Sequence, residues 1–379
     1  MEMDWLVEGL WENYKLMIAY LRSTDCHPDS RLQKYTDYLS ECGYDYFVVG
    51  WDRYTKLIDD QVYTYYHKKC THGQGIKNLF AMLGFNWFVL KYLWKNRNNY
   101  RIIHACDFDT ILPAIIIKII CGKKVVYDIF DWFVDSRNFN NYLLKKIILF
   151  FEKIVLKKSD IVIICDEERK TQLPIIPEHL WILPNIPNFC QIMSMEPCHH
   201  EDELVLSYVG VLAEDRGLTT LIETVKQFPN IKLNIAGFGI LESYVRQSSE
   251  QHDNIIYYGS VPYNQGLSIM QQADLIVAFY EKRIKNNLFA APNKYYEGLY
   301  LGKPLLTTAG TAVGAKSEMY KTGFAIEEDI DSLVNFLKGN QIKDKLQEYG
   351  INAQNLWKKQ YVHYVNDFMQ NYYLKLFKL

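Results

Sequence analysis

No stretch of this sequence is both long and free of charge. The longest uncharged apolar run, residues 78–90 (NLFAMLGFNWFVL), ends at Lys91 and falls short of the ~20 residues a helix needs to span a bilayer. Charge of one sign is also missing: 42 Lys and Arg against 44 Asp and Glu leave −2, so no global field points to nucleic acid, and any basic surface has to be local. The eight cysteines, at 26, 42, 70, 106, 121, 165, 190 and 198, contain no Cys-x-x-Cys pair. Several sit in apolar runs such as DIVIICDE, the pattern of reduced core thiols in a cytoplasmic protein rather than of a disulfide framework. The amino terminus is acidic before its apolar part and lacks a basic segment with a small-residue cleavage site, so no secretory signal is expected. His199 and His200 have no cysteine at zinc spacing and are expected to be solvated.

What is present is alternation. A chain of 379 residues exceeds what one core supports, which predicts two domains. The runs KLMIAYLR, YDYFVVG, YRIIHACD, KKVVYDIF and DIVIIC read as strands, with DSRLQKYTDYLSECG, TILPAIIIKIICG and NNYLLKKIILFFEKIVLKKS as helices between them. Apolar strands alternating with helices predict a parallel sheet with ligands at its carboxyl edge. Around 184–203 the pattern breaks into a stretch rich in Pro, Asn and charge, the composition of a linker. A second series follows, with strands LVLSYVG, IKLNIAG, NIIYYGS, ADLIVAFY and KPLLTTAG. The expected organisation is α/β: an amino-terminal Rossmann-like domain at 1–186, a second at 187–355, and a carboxy-terminal helix at 356–379 packing back on the first. Two facing domains of this kind leave a cleft between them, where ligands usually bind.

Three pieces of the second half carry ligand chemistry. A strand is followed by Gly210, a short loop with Arg216-Gly217, and a helix. Helix-end amides with an Arg in the preceding loop suit a phosphate, though a solvated Arg in a tight loop reads equally well. Gly237 and Gly239 follow a strand directly, half of a dinucleotide fingerprint, and allow a ligand close to the backbone. In AAPNKYYEGLYLGKPLL, Pro292 opens a helix, Asn293 and Lys294 lie in its first turn and Glu297 one turn on. That arrangement puts a cation beside free amides and an acid within reach of a ribose diol; an exposed Lys-Glu pair is the bland alternative.

From about 204 to 326 the ordered pieces YVGVLAEDRGL, IAGFG, IIYYGSVP, ADLIVAF, PNKYYEGLYLGKPLL and KTGFAI resemble the group-1 glycosyltransferases, specifically glycosyltransferase family 4 of GT-B fold, and HACDFDTILPA with VVYDIFDWF extends the likeness more loosely into the first half. The resemblance implies two facing Rossmann-like domains with parallel sheets and an interdomain cleft, and a nucleotide-sugar-dependent transferase that retains anomeric configuration. It implies no bound metal and no cofactor beyond the sugar-nucleotide substrate. It places the donor diphosphate at Arg216, where the family more often has Lys, and the donor ribose at Glu297. Lys294 with Asn293 fits the Pro-Asn-Lys variant of polysaccharide-assembly members, and Gly210, Gly237 and Gly239 line the donor site. Two departures stand out: Phe289 where a second glutamate is frequent, and Val211 where an Arg is frequent.

On the acceptor side, His104, Asp107, Asp128 and Asp131 are expected to face the cleft. Asp131 would position or deprotonate the acceptor hydroxyl, although strand ends and caps are equally acidic. Asp107 and Asp109 spell D-x-D, a metal motif of a different glycosyltransferase architecture. Segment 142–158 carries five lysines against one acid among Leu, Ile and Phe, so it reads either as a membrane-surface helix or as a sheet-flanking helix with a basic edge. The expected protein is therefore a cytoplasmic hexosyltransferase, peripheral to the inner face of the plasma membrane, using a UDP- or GDP-sugar and a lipid-linked or polysaccharide acceptor. Its rivals are a catalytically degenerate partner subunit, and an NAD-dependent oxidoreductase, for which LRSTDCHPDS lacks the glycines on the first βα turn.

Overall fold

The computed structural model describes residues 17–26, 29–70, 76–137, 141–187, 203–339 and 341–377. The acidic amino terminus before Met17 and most of the Pro-rich linker, with His199, His200, Cys190 and Cys198, lie outside the described residues. The chain divides into two compact units, Met1–Pro184 with Val365–Leu379, and Asn185–Tyr364.

The first unit is a seven-stranded, wholly parallel sheet: β1 (Ile18–Leu21), β2 (Tyr46–Asp52), β3 (Tyr63–His67), β4 (Ile102–Cys106), β5 (Lys124–Ile129), β6 (Ile161–Ile164) and β7 (Leu180–Ile182). Their order is β3-β2-β1-β4-β5-β6-β7. Helix α1 (Ser30–Glu41) follows β1, α2 (Ile76–Lys95) precedes β4, and α3 (Phe108–Cys121) and α4 (Tyr142–Lys158) connect β4 to β5 and β5 to β6. The steps β3 to β4, β4 to β5 and β5 to β6 run in one direction across the sheet. Right-handed crossovers therefore put α2, α3 and α4 on the same face, and α1 on the other. β3 and β7 were not foreseen: YTYYH is an aromatic edge strand and LWI only three residues long.

The second unit is a six-stranded parallel sheet: β8 (Leu204–Val209), β9 (Ile231–Ala236), β10 (Ile255–Tyr257), β11 (Leu275–Ala278), β12 (Leu305–Thr308) and β13 (Gly323–Ile326), in the order β10-β9-β8-β11-β12-β13. Its helices are α5 (Leu218–Val225), α6 (Glu242–Gln251), α7 (Tyr263–Gln271), α8 (Asn293–Leu301), α9 (Ala312–Met319), α10 (Ile330–Lys338) and α11 (Gln341–Leu356). In both sheets the chain reverses direction after its third strand and returns beside the first, so each has a switch point where ligands bind in doubly wound folds: between β1 and β4, and between β8 and β11. The last helical stretch is not one rod. α11 runs into a π-turn at Trp357–Tyr361, then α12 (Tyr364–Asn371) and a 3₁₀ turn at Tyr373–Phe377.

Local chemistry explains two details. Asp29 caps α1, its carboxylate accepting the amides of Arg31 and Leu32. Pro113 lies inside α3 and has no N–H for the carbonyl of Asp109; the Asn86 amide of α2 donates to that oxygen instead, at 2.9 Å. Core packing in the first unit includes Trp51 stacked on Phe85 at 5.2 Å. The described cysteines are free, and four of the six are buried. Among the described residues, no helix is long and apolar enough to cross a membrane.

Glu152, on the inner side of α4, is fully buried and neither carboxyl oxygen has a hydrogen-bond partner. Burial, with Asp135 adding, pushes it up to about 8. The folded chain then keeps a proton that the unfolded chain has lost, so stability falls as pH rises through the window from the ordinary carboxylate range to about 8. Glu152→Gln is expected to flatten that slope and to raise Tm above pH 8; calorimetric melts of both proteins from pH 5 to 9 check it, and parallel curves refute it.

Candidate functional site

In the second unit, β8 delivers the chain to a loop whose backbone is pressed against its neighbour. Gly210 N–H donates to Ala236 O at 2.9 Å, and Leu212 N–H to Phe238 O at 2.9 Å. A Cβ on Gly237 would lie 1.8 Å from Gly210 O, and one on Gly239 2.4 Å from Leu212 O. Tyr208 and Tyr257 brace the loops by donating to Val211 O at 2.6 Å and Gly237 O at 2.9 Å. The two half-fingerprint glycines thus let two strand-to-helix loops merge into one floor.

Helix α8 brings the other half. Pro292 occupies its cap position in an extended conformation, so the first-turn amides, with Asn293 and Lys294, stand at its open end. The ammonium of Lys294 reaches Gly210, where a Cβ would come within 2.6 Å of it, and lies 5.6 Å from the Tyr208 ring centroid. Burial lowers the Lys294 pKa; Glu297 opposes the shift and the Arg216 charge adds to it. Glu297, one turn along, is only 5% exposed, and Tyr263 Oη donates to it at 3.1 Å. Burial raises its carboxyl, against the pull of Lys294 and Tyr263. Arg216 sits in the 3₁₀ turn before α5, with its guanidinium 4.9 Å from the Tyr280 ring centroid and 3.7 Å from Asp215. The structure therefore gathers Gly210, Gly237, Gly239, Lys294 and Glu297, with Arg216 in electrostatic range. Val211 is exposed, and Phe289 is half-buried in the turn Lys285–Phe289. Sequence reasoning missed Tyr208, Tyr263 and Tyr280. Their signal was slight: single tyrosines at strand ends and, for Tyr263, directly after Pro262.

At the switch point of the first unit the expectations divide. Asp128 and His104 are fully buried and do not face a ligand-accessible surface. Arg31 Nη2 donates to Asp128 at 2.6 Å and Tyr35 Oη at 2.8 Å, while His104 Nε2 lies 3.4 Å away and its Nδ1 shares a 2.6 Å hydrogen bond with Tyr373 Oη. Burial pushes Asp128 up, but Arg31 and His104 outweigh it and hold the carboxyl well below its usual range; burial lowers His104. These residues tie α1 and the carboxy-terminal turn to the sheet.

Asp107 and Asp131 do lie at the carboxyl edge. Asp107 has φ 63° and ψ 169°, a strained backbone for a non-glycine residue. It pairs with Arg22 and accepts the amides of Phe130 at 2.8 Å and Asp131 at 3.3 Å. Burial pushes it up to about 6 against the pull of Arg22, with Asp131 and Asp109 adding. Asp131 is 58% exposed and is held by Arg169 at 3.1 Å. Asp109, the second acid of the D-x-D, is turned inward onto Ser23 and Arg137, both at 3.0 Å, so the two carboxylates do not converge. Arg22, unremarked in the sequence, joins the group: it donates to Asp29 at 2.7 Å and lies 4.1 Å from the Phe130 ring centroid.

A merged glycine floor, a desolvated ammonium and a buried acid one turn along a helix meet at the carboxyl edge of a Rossmann-like sheet. Residues 195–355 match the family model described as glycosyl transferases group 1. No curated protein matches the chain in sequence. Among solved structures, it is similar to sucrose-phosphate synthase from Thermosynechococcus elongatus, at 16% identity over 96% of this chain and 99% of that one, TM-score 0.68. It is also similar to HepE of Anabaena, solved with UDP and glucose, at 14% identity over 96% and 100%, TM-score 0.68. WaaG, a glycosyltransferase of lipopolysaccharide biosynthesis, matches at 14% identity over 92% and 97%, TM-score 0.66. These likenesses show the fold, which is GT-B.

The merged floor predicts unequal costs for two glycine substitutions. Gly259 has φ 74° with open space around its Cβ position, so Gly259→Ala is expected to cost about 1 kcal/mol of backbone strain. Gly237→Ala must displace backbone and is expected to cost at least ~2 kcal/mol more. Urea unfolding of both variants decides it; equal losses would mean that close approach is not the constraint.

Proposed function

We propose that the protein is a retaining glycosyltransferase that moves a hexose-type sugar from a UDP- or GDP-sugar to a lipid-linked or polysaccharide acceptor in cell-surface glycan assembly, without a bound metal. The observation that carries this reading is the placement of the Lys294 ammonium against Gly210, with Glu297 one turn further along α8. In the proposed reaction the bond from the anomeric carbon to the diphosphate breaks, a bond to the acceptor oxygen forms, and negative charge collects on the departing diphosphate. Lys294, Arg216 and the amides of Asn293 and its neighbours at the open end of α8 stabilise that charge in a water-poor site. Lys294, disfavoured as a cation by burial, gains a partner when the diphosphate arrives. Glu297 takes the ribose diol, and Gly210, Gly237 and Gly239 let the donor lie on the backbone.

We assign acceptor binding to the first unit. Asp131, the exposed carboxylate, receives the acceptor proton; Asp107 is a positioning residue that holds the Phe130–Asp131 amides. The HepE structures, which hold UDP and UDP-glucose, favour UDP over GDP, and WaaG supports a lipid-linked acceptor. A helix at 142–158 with a lysine-rich outer side suits an enzyme peripheral to the inner face of the plasma membrane. Val211 and Phe289 support one competing reading, a partner subunit that binds nucleotide without turning over sugar.

Calorimetry with UDP and GDP tests the donor site. One diphosphate is expected to bind at micromolar strength, and Arg216→Ala, Lys294→Ala and Glu297→Ala are each expected to weaken it by about 1–3 kcal/mol, as lost hydrogen bonds to charged groups do. Absence of binding, or indifference to all three substitutions, overturns the reading. Binding without transfer or donor hydrolysis selects the partner-subunit alternative.

A further inference from the structure

We propose that the outer surface of the whole layer α2–α3–α4, and not one helix alone, is a docking face for an anionic lipid bilayer. The proposal rests on the peripheral-membrane reading above and extends it to two helices that reading leaves out.

The three helices pack side by side on one face of the first sheet, α2 against α3 and α3 against α4. Each turns an apolar stripe outward. On α2, Phe80, Leu83, Trp87 and Trp94 recur at helical spacing and are 67%, 56%, 58% and 46% exposed. On α3, Ile116, Ile119 and Ile120 are exposed, Ile119 by 69%. On α4 the stripe is Leu143, Ile147, Phe150 and Phe151, with Phe150 61% exposed. Single exposed apolar side chains need no explanation, whereas a contiguous set across three neighbouring helices marks an interaction surface.

Charge identifies the occupant. The only acidic residues in these helices are Asp109 and Glu152, and both are buried. Lys91, Lys95, Lys146, Lys153, Lys157 and Lys158 are exposed, while Lys118 is paired with Asp160. The layer thus presents lysines and no exposed carboxylate, in a chain whose formal charge is −2 overall. Protein–protein interface cores are depleted of lysine, but lysine beside Trp, Phe and Leu is what an anionic membrane interface recruits. Lys91 lies 5.1 Å from the Trp87 ring centroid and Lys146 4.6 Å from that of Tyr142, placing cation and aromatic at the same depth. Because no described helix can cross a membrane, the layer lies on the surface.

The test is sedimentation of the full chain with vesicles of phosphatidylcholine alone or with about a third phosphatidylglycerol. Partitioning is expected to be at least about tenfold stronger on the anionic vesicles and to fall with added salt. Leu83→Ser with Trp87→Ser on α2, and separately Phe150→Ser with Phe151→Ser on α4, are each expected to lower it about tenfold while leaving Tm and UDP binding unchanged; Lys146→Glu with Lys153→Glu checks the charge without touching the apolar stripe. No partitioning, equal partitioning on neutral vesicles, or an α2 pair that binds like the parent overturns the proposal. So does a dimer mass by light scattering that the same variants abolish, since the face would then be an interface between copies. Vesicle binding without UDP binding sinks the transferase reading alone; UDP binding without vesicle binding sinks only the docking face.

Discussion

The absence of side chains at a few backbone positions is the constraint on which the proposed donor site depends. With Gly237 lying on Gly210 O and Gly239 on Leu212 O, the loops after β8 and β9 share one hydrogen-bonded floor, and α8 can bring Lys294 down onto it. A methyl group at Gly237 would separate the loops, and the ammonium would then sit over a gap rather than over backbone. The tyrosines at 208 and 257 lock the arrangement from beneath, each through one hydrogen bond to a loop carbonyl.

The groups placed on that floor are held there against the cost of burial. Burial lowers the Lys294 pKa and raises that of Glu297, so each is biased toward its neutral form and each relies on the other. A buried charge with incomplete partners is costly, and a ligand that brings an anion for one and a hydrogen-bond donor for the other relieves both. The same logic explains why the equivalent edge of the first unit differs. There Arg22, Asp29 and Asp107 already satisfy one another, and only Asp131 is left largely open to solvent.

Much of this was legible before any coordinates. The alternation of apolar runs gave two parallel sheets, because strands covered on both faces read as uninterrupted Val, Ile and Leu. The glycines after the strands and the Pro-Asn-Lys helix opening marked the cluster now proposed as the donor site, because backbone approach and helix ends leave local traces. Contacts distant in sequence left none. His104 and Asp128 looked like strand-end ligands, but Arg31 and Tyr35 on α1 and Tyr373 near the carboxy terminus claim them, and no spacing rule reveals partners so far along the chain. Arg22 was overlooked for the same reason, since only the fold brings it to Asp107. The strands at Tyr63–His67 and Leu180–Ile182 were too aromatic or too short to stand out.

Pro113 has a mechanical consequence. Its ring leaves one carbonyl of α3 without a helical partner, and the Asn86 amide that fills the vacancy belongs to the neighbouring helix. A bond of this kind is a rivet. It fixes the axial register of α2 against α3, so the two cannot slide past each other as apolar helices otherwise do at little cost. The outer stripes of these helices consequently move as one stiff tile. Whatever surface meets it has to conform to the tile's own shape, and a sharply curved surface would touch only one row of side chains at a time.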